Sequence, residues 1–413
     1  MIETEQRWRR AAPPEAGPDP CRNVCVVTET YAPEINGVAL TLKHLVEGLR
    51  ARGHLVSIVR PRQRSADAAA GPHDPTLTLV RGLPLPGYEA LRFGLPAGLR
   101  LRGHWSSPRP DAVYVATEGP LGWSAVRAAR LLGIPVFSGF HTHFDRYARH
   151  YRAGWLELGV TRYLRSFHNR TDGTLVPTAE LRDHLRSAGF RNLTVLGRGV
   201  DGRLFSSARR SPARRRAWGA SESDLVALYV GRIAPEKDVE LAVRAYRAMR
   251  RTAGGAVRFV VVGDGPSRRG LQEALPDVHF PGVVTGEALA EHYASADVFL
   301  FPSATETFGN VTLEAMASGL VVVAYDYAAA RAHVEPGRSG VLVPYRDANA
   351  FVEAAAELAG APERRLAMRA RVRESVAHLH WDHVVARFET WLAGAWRARP
   401  MPVRTGPERG DRA

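Results

Sequence analysis

The hydrophobic pattern opens with an apolar strand, NVCVVTETY (Asn23 to Tyr31), followed by the loop APEINGVA. Apolar positions then recur at helical spacing through Leu42, Leu45, Val46 and Leu49, and Arg52-Gly53 supplies a C-cap signal. HLVSIVRP (His54 to Pro61) reads as the next strand. Strand, helix, strand is the unit of a parallel sheet. The unit recurs as DAVYVAT (Asp111 to Thr117), a helix from about Gly122 to Leu132, GIPVFSGFHT (Gly133 to Thr142), a helical stretch Gly154 to Arg170, and GTLVPT (Gly173 to Thr178). Between about Ser65 and Pro110 the pattern breaks up among Pro, Gly and Arg, which predicts loops and one short helix.

A second series begins at DLVALYVG (Asp224 to Gly231). It continues with a helix Val239 to Arg251, strand VRFVVVGDG, helix Ser267 to Ala274, short strand VHFPGVV and helix Gly286 to Ser295. Strand VFLFPS (Val298 to Ser303), helix Val311 to Ser318, strands GLVVVAYD and GVLVP, and terminal helices follow. The expectation is α/β: two doubly wound, Rossmann-like domains, 21–200 and 223–379, joined by a linker at 201–222. In such sheets ligands bind at the carboxyl ends of the strands. With two domains, the cleft between them is the default site.

Composition narrows the partners. The chain has 413 residues, 45% of them hydrophobic, with no apolar run of 18 residues to span a membrane. Residues 1–20 read as a disordered leader and 397–413 as a disordered tail. The two cysteines, Cys21 and Cys25, are too few for a metal site, and Cys25 falls in a strand pattern and reads as core. A reducing cytosol fits. The net charge of +14 attracts nucleic acid, anionic membrane or phosphorylated small molecules. No nucleic-acid-binding module is present, so nucleic acid is not an expected partner. The densest basic run, SSARRSPARRRAW (Ser206 to Trp218), reads as a solvated linker face. Only two residues are lysine, Lys43 and Lys237; Lys43 carries no motif, whereas Lys237 does.

Several loops after strands carry candidate chemistry. In ATETFGNVTLEAMASG, Glu306 stands at a strand end, and the peptide groups of Phe308, Gly309 and Asn310 stand at a helix start. Unpaired N–H groups and the helix dipole there favour an anion. Gly309 lets a phosphate or sugar approach the backbone. Glu314 lies about one turn further in, since a helix advances ~1.5 Å per residue. Two carboxylates bracketing a phosphate suit a sugar at one end and a ribose at the other. The plainer alternative is an acid near a helix start and an exposed mid-helix glutamate.

In VGRIAPEKDVE, Arg232 and Lys237 offer a planar fork and a point charge suited to a diphosphate; otherwise they are surface cations beside Glu236 and Asp238. VVGDGP provides a glycine turn at Gly263 for phosphate or base, without the dinucleotide or P-loop pattern. PEINGV places Gly37 after the first strand, as a ligand contact or an ordinary turn. FHTHFDRY ends a strand at His141, facing the expected cleft; a metal held by His141, His143 and Asp145 is disfavoured because alternating side chains point to different faces.

Taken together, Glu306 and Glu314 with seven residues between them, Gly231 to Lys237, VVGDGP and FHT resemble the retaining glycosyltransferases of family 4, over residues 23–395. The resemblance implies the GT-B fold, with the first domain facing the acceptor and the second holding a nucleotide-sugar. It also implies a helix near 380–396 that returns to the first domain. On it, Arg232 and Lys237 hold the donor diphosphate, and Glu306 with the backbone of Phe308 to Asn310 holds the transferred sugar. Glu314 holds the ribose, Gly37 lies against the phosphates and His141 lies near the reacting sugar. No cofactor and no metal are implied.

The run FHTHFDRYARHY to GTLVPT is similar to a subgroup that includes GDP-mannose-dependent α-mannosyltransferases and sulfoquinovosyl-diacylglycerol synthases. The expected activity is hexosyl transfer, with mannose from GDP-mannose, to a lipid-linked or glycan acceptor. At His143, mannosyl relatives often carry Asp or Asn, so UDP-sugar transfer to diacylglycerol stays open. A non-catalytic sugar-nucleotide-binding protein is the rival outside enzymology. The chain is expected to be bacterial and cytoplasmic. Leu85 to Trp105 could present arginines to an anionic membrane on the inner face.

Overall fold

The computed structural model describes residues 22–32, 34, 36–62, 76–85, 88–141, 154–254 and 257–397. In chain order the first body contains β1 (Asn23–Val27), α1 (Gly37–Ala51), β2 (Leu55–Pro61), β3 (Leu77–Val80), β4 (Gly82–Leu85), β5 (Tyr88–Gly94) and α2 (Gly98–His104). It continues with β6 (Ala112–Val115), α3 (Pro120–Leu131), β7 (Val136–Gly139), α4 (Gly154–His168), β8 (Gly173–Val176), α5 (Ala179–Ser187) and β9 (Leu193–Val195). Seven strands form one parallel sheet in the order β3-β2-β1-β6-β7-β8-β9. Its strands are sandwiched. Val24 and Val26 of β1 join the cluster under α1, while Cys25 and Val27 join the cluster under α3. The Cys25 thiol is fully buried and pushed up to about 11 by desolvation. Cys21 lies outside the described residues.

The second body starts with α6 (Pro212–Ala217), β10 (Leu225–Val230), α7 (Val239–Thr252), β11 (Val257–Val262), α8 (Arg268–Ala274), β12 (His279–Gly282) and α9 (Gly286–Ser295). Then follow β13 (Val298–Phe301), α10 (Asn310–Ala317), β14 (Val321–Tyr325), α11 (Ala328–His333), β15 (Gly340–Val343), α12 (Ala348–Gly360) and α13 (Pro362–Val372). Its six strands are parallel in the order β12-β11-β10-β13-β14-β15. The strands bury both faces, which is why they read as unbroken apolar runs such as LVALYV and VVVAY.

The last helix, α14 (Trp381–Arg397), leaves the second body and packs on α1. Val384, Val385, Phe388 and Leu392 complete the core on that face of the first sheet. Gly48 makes this possible, because a Cβ there would lie 2.4 Å from Val385. The two segments that pass between the bodies run side by side: Val200 N–H donates to Leu379 O at 2.7 Å, and Gly199 leaves no room for a Cβ beside Trp381.

Two regions differ from the sequence expectation. Within 65–110, β3 extends the main sheet and β4 pairs with β5 as an antiparallel hairpin, where loops and one helix were expected. These strands are short, and Pro84 and Gly82 interrupt their apolar pattern. The basic run 206–218 is not simply a solvated face. Arg215 is fully buried, and its guanidinium donates to Asp297 Oδ2 at 3.1 Å and to the carbonyls of Ser295, Ser221 and Asp224. Arg210 and Arg369 close on the same Asp297 carboxylate at 3.2 and 2.6 Å. A buried guanidinium is tolerated because every donor edge finds an acceptor. Most of the expected linker therefore belongs to the second body.

Candidate active site

The carboxyl ends of the two sheets bring two helix starts together. At the start of α10, Gly309 adopts φ +94°, a conformation that favours glycine, and no side chain caps the helix. At the start of α1, Asn36 Oδ1 accepts from the N–H groups of Val38 and Ala39 at 3.1 and 2.9 Å. A Cβ on Gly37 would lie only 3.8 Å from Asn310 Nδ2, so the two helix ends abut across the cleft. Each carries a partial positive charge, and together they favour an anion between them.

The cations come from the β10–α7 loop. Lys237 Nζ pairs with Glu306 Oε1, which also accepts from Ser303 Oγ at 2.7 Å. Arg232 Nη1 donates to Glu236 Oε1 at 3.2 Å and remains partly exposed. Thr305 Oγ1 donates to Glu236 O at 3.0 Å and Tyr327 OH donates to Glu306 O at 2.7 Å, so the two loops are stitched together. Arg232 neighbours Glu236, as the surface-cation reading has it, while Lys237 turns to the Glu306 loop.

Glu314 is not an exposed mid-helix acid. Its carboxylate is half-buried, accepts from Tyr293 OH at 2.9 Å, and is pushed up to about 7 by desolvation. Phe308 is buried against the core. Gly263 has a packing reason besides any ligand: at φ +134°, a Cβ would lie 1.9 Å from Gly231 O, where the β10 and β11 loops touch.

His141 follows β7. Its Nδ1 lies 3.1 Å from Arg198 Nη2 and its Nε2 lies 3.2 Å from Tyr114 OH, while its peptide carbonyl accepts from Thr307 Oγ1 at 3.3 Å. His143 and Asp145 lie outside the described residues. No group of three or more His, Cys, Asp or Glu suited to a metal occurs among the described residues.

Sequence reasoning missed Ser303, Thr307, Tyr327 and Arg198. Ser303 and Thr307 sit in or beside the Glu306 loop already singled out, whereas Tyr327 follows β14 and reaches that loop through its hydroxyl. For Arg198 the signal was a lone arginine between two glycines in an apolar stretch, LTVLGRGVD.

Two parallel sheets meeting at their carboxyl ends over paired helix starts define the GT-B class of glycosyltransferase. Sucrose-phosphate synthase from Thermosynechococcus elongatus shares the fold, with a TM-score of 0.75 at 19% identity over 92% of this chain and 100% of that one. Residues 35–203 match the family described as Glycosyltransferase Family 4, and residues 224–360 match Glycosyl transferases group 1. A GDP-mannose-dependent alpha-mannosyltransferase of Mycobacterium tuberculosis (strain CDC 1551 / Oshkosh) is 35% identical over 323 residues, covering 78% of this chain and 83% of that protein. Sulfoquinovosyl transferase SQD2 of Arabidopsis thaliana is 29% identical over 95% of this chain and 78% of its own length. The chain belongs to glycosyltransferase family 4. It is an enzyme of hexosyl transfer.

Proposed function

We propose that the enzyme transfers mannose from GDP-mannose, with retention of configuration and without a metal ion, to a hydroxyl of a lipid-linked or glycan acceptor. The observation that carries the reading is the pair of facing helix starts at Gly37 and Asn310, with Lys237 and Arg232 on the same loop beside them. That arrangement suits a diphosphate, and the mannosyltransferase relative supports the choice of donor. The second body holds the donor and the first receives the acceptor. Glu306, with the backbone of Phe308 to Asn310, holds the sugar, and Glu314 the ribose.

The bond from the anomeric carbon to the diphosphate oxygen breaks while the acceptor oxygen bonds on the same face. The acceptor proton passes to the leaving phosphate. Lys237, Arg232 and the helix dipoles stabilise the charge that develops there. A covalent glycosyl-enzyme trapped at a carboxylate overturns this route.

Thermal-shift binding to GDP, UDP and ADP, with and without Mg²⁺, tests the donor. A ligand that binds only the folded state raises the melting temperature by mass action. Stabilisation by GDP without Mg²⁺ is expected. A response to UDP instead favours glucosyl- or sulfoquinovosyl-type transfer, as in the Arabidopsis relative. Silence from all three overturns the nucleotide-sugar donor reading proposed here.

The acceptor side is read as lying against an anionic membrane, at the cytoplasmic face. Residues 22–200 hold 24 lysines and arginines against 13 acids, while 223–379 hold 17 against 19. On α2, Leu99 is 83% exposed beside the exposed Arg100 and Arg102. No described helix is long and apolar enough to cross a membrane.

A further inference from the structure

The first body buries a cation whose position the transfer reaction, as derived above, does not use. Arg198 is 6% exposed, and among the described residues it has no carboxylate partner. Its Nη1 donates to Leu196 O at 3.3 Å and its Nη2 lies 3.1 Å from His141 Nδ1. A guanidinium has donors only and stays protonated, so the imidazole Nδ1 must present its lone pair. The ring proton then sits on Nε2, which faces the Tyr114 hydroxyl at 3.2 Å.

The contact between Tyr114 and His141 is built into the backbone. A Cβ at residue 139 would lie 2.1 Å from the Tyr114 oxygen and 2.5 Å from His141 Nε2. Only glycine at 139 leaves the space. Both ring nitrogens are thus engaged inside the first body. What His141 offers the cleft is its peptide carbonyl, which accepts from Thr307 on the donor loop of the second body at 3.3 Å.

We propose that Arg198 is a positioning residue: it locks the His141 imidazole neutral, with its proton on Nε2, so that the ring props the residue 141 peptide against the donor loop rather than acting as an acid or base. Burial and the neighbouring Arg198 charge both hold the imidazole well below its ordinary range, in keeping with the neutral form. The proposal rests on the reading that Glu306 and the backbone of Phe308 to Asn310 hold the transferred sugar. It assigns His141 a mechanical part in that site. Catalysis by general acid or base contributes typically 10²–10⁴-fold, so the two roles separate cleanly on substitution.

The test uses the full chain labelled with ¹⁵N-histidine. Long-range ¹⁵N–¹H spectra at neutral pH are expected to show His141 unprotonated at Nδ1 and protonated at Nε2. Arg198→Met is expected to release that preference, and Arg198→Lys, which keeps one donor, to retain it. In turnover, His141→Asn is expected to lose less than 10-fold in kcat, because the amide oxygen can replace Nδ1 as acceptor. Arg198→Met is expected to lower kcat with little change in the donor KM, and Arg198→Lys to recover part of it.

A His141 proton on Nδ1, or a doubly protonated ring, overturns the proposal whatever the turnover. So does a loss of 10²-fold or more in His141→Asn with its fold intact by circular dichroism. The lock as assigned, with Arg198→Met turnover unchanged, also overturns it, since the arginine then positions nothing the reaction uses. The failure of the donor reading is separate: it appears as absence of nucleotide binding in the wild-type chain.

Discussion

The two bodies share a topology but not a construction. The second has a single continuous apolar core, which runs from Val200 to Val376 and takes in all six strands. Among the described residues, the first divides its core into three clusters and closes one of them with the last helix, α14. The second is near neutral, while the first carries the excess of positive charge. On the proposed function, the continuous, near-neutral core underlies the donor side and the composite, basic one the acceptor side.

The sharpest test of the second body is Arg215→Ala. Arg210 and Arg369 still face Asp297, but the carbonyls that Arg215 serves lose their donor, at about 1–3 kcal/mol for each buried acceptor left unsatisfied, so denaturant midpoints of the second body should fall steeply. A change of less than about 0.5 kcal/mol, the ordinary effect of a surface substitution, would return the linker to the solvated class. Next is Lys237→Ala. Loss of one preorganised charge at a developing anion costs about 10²–10³ in kcat, with folding intact, measured as GDP-mannose turnover. Unchanged turnover would remove the donor role of the second body.

Smaller effects probe the first body. Gly48→Ala should cost about 1–3 kcal/mol by overpacking against Val385, read by thermal unfolding. Indifference there would mean that α14 is not a permanent part of that core. Each body also holds one carboxyl pushed up to about 7 by desolvation, Glu29 in the first and Glu314 in the second. Between pH 4.5 and 7 the folded chain keeps a proton that the unfolded chain has released. Stability contributed by these groups therefore falls as pH rises through that window. Glu29→Gln and Glu314→Gln should each flatten the fall, and a slope unchanged in both would show that neither carboxyl is desolvated. Least of all, Arg102→Glu should weaken flotation with phosphatidylglycerol vesicles, by about 1 kcal/mol per basic residue lost near the surface. Flotation indifferent to salt and lipid charge would dissolve the electrostatic half of the comparison.

The sequence made the two bodies legible unequally, for the same reason. Strands buried on both faces, such as Leu225–Val230, announce themselves as apolar runs. Leu77–Val80 is only partly covered, and Gly82–Leu85 is broken by proline, so neither does. Ala179–Ser187 is polar on most of its surface and passed unnoticed, with Leu185 its one buried side chain. Candidate site residues stood out where a strand ends in a loop with Gly, Glu or Lys. Their pairings were not, because Lys237 meets Glu306 across 69 positions and Arg215 meets Asp297 across 82. An arginine reads as surface until its distant acceptor is known. Arg198 escaped on that account.

The paired crossing at Val200 and Leu379 has a kinematic consequence. Two tethers lying side by side, hydrogen-bonded to each other, act as one spine. They resist sliding and twisting more than they resist folding about their common line. A rotation about that line, like the covers of a book about the binding, would carry Gly37 away from Asn310 without disturbing the core of either body.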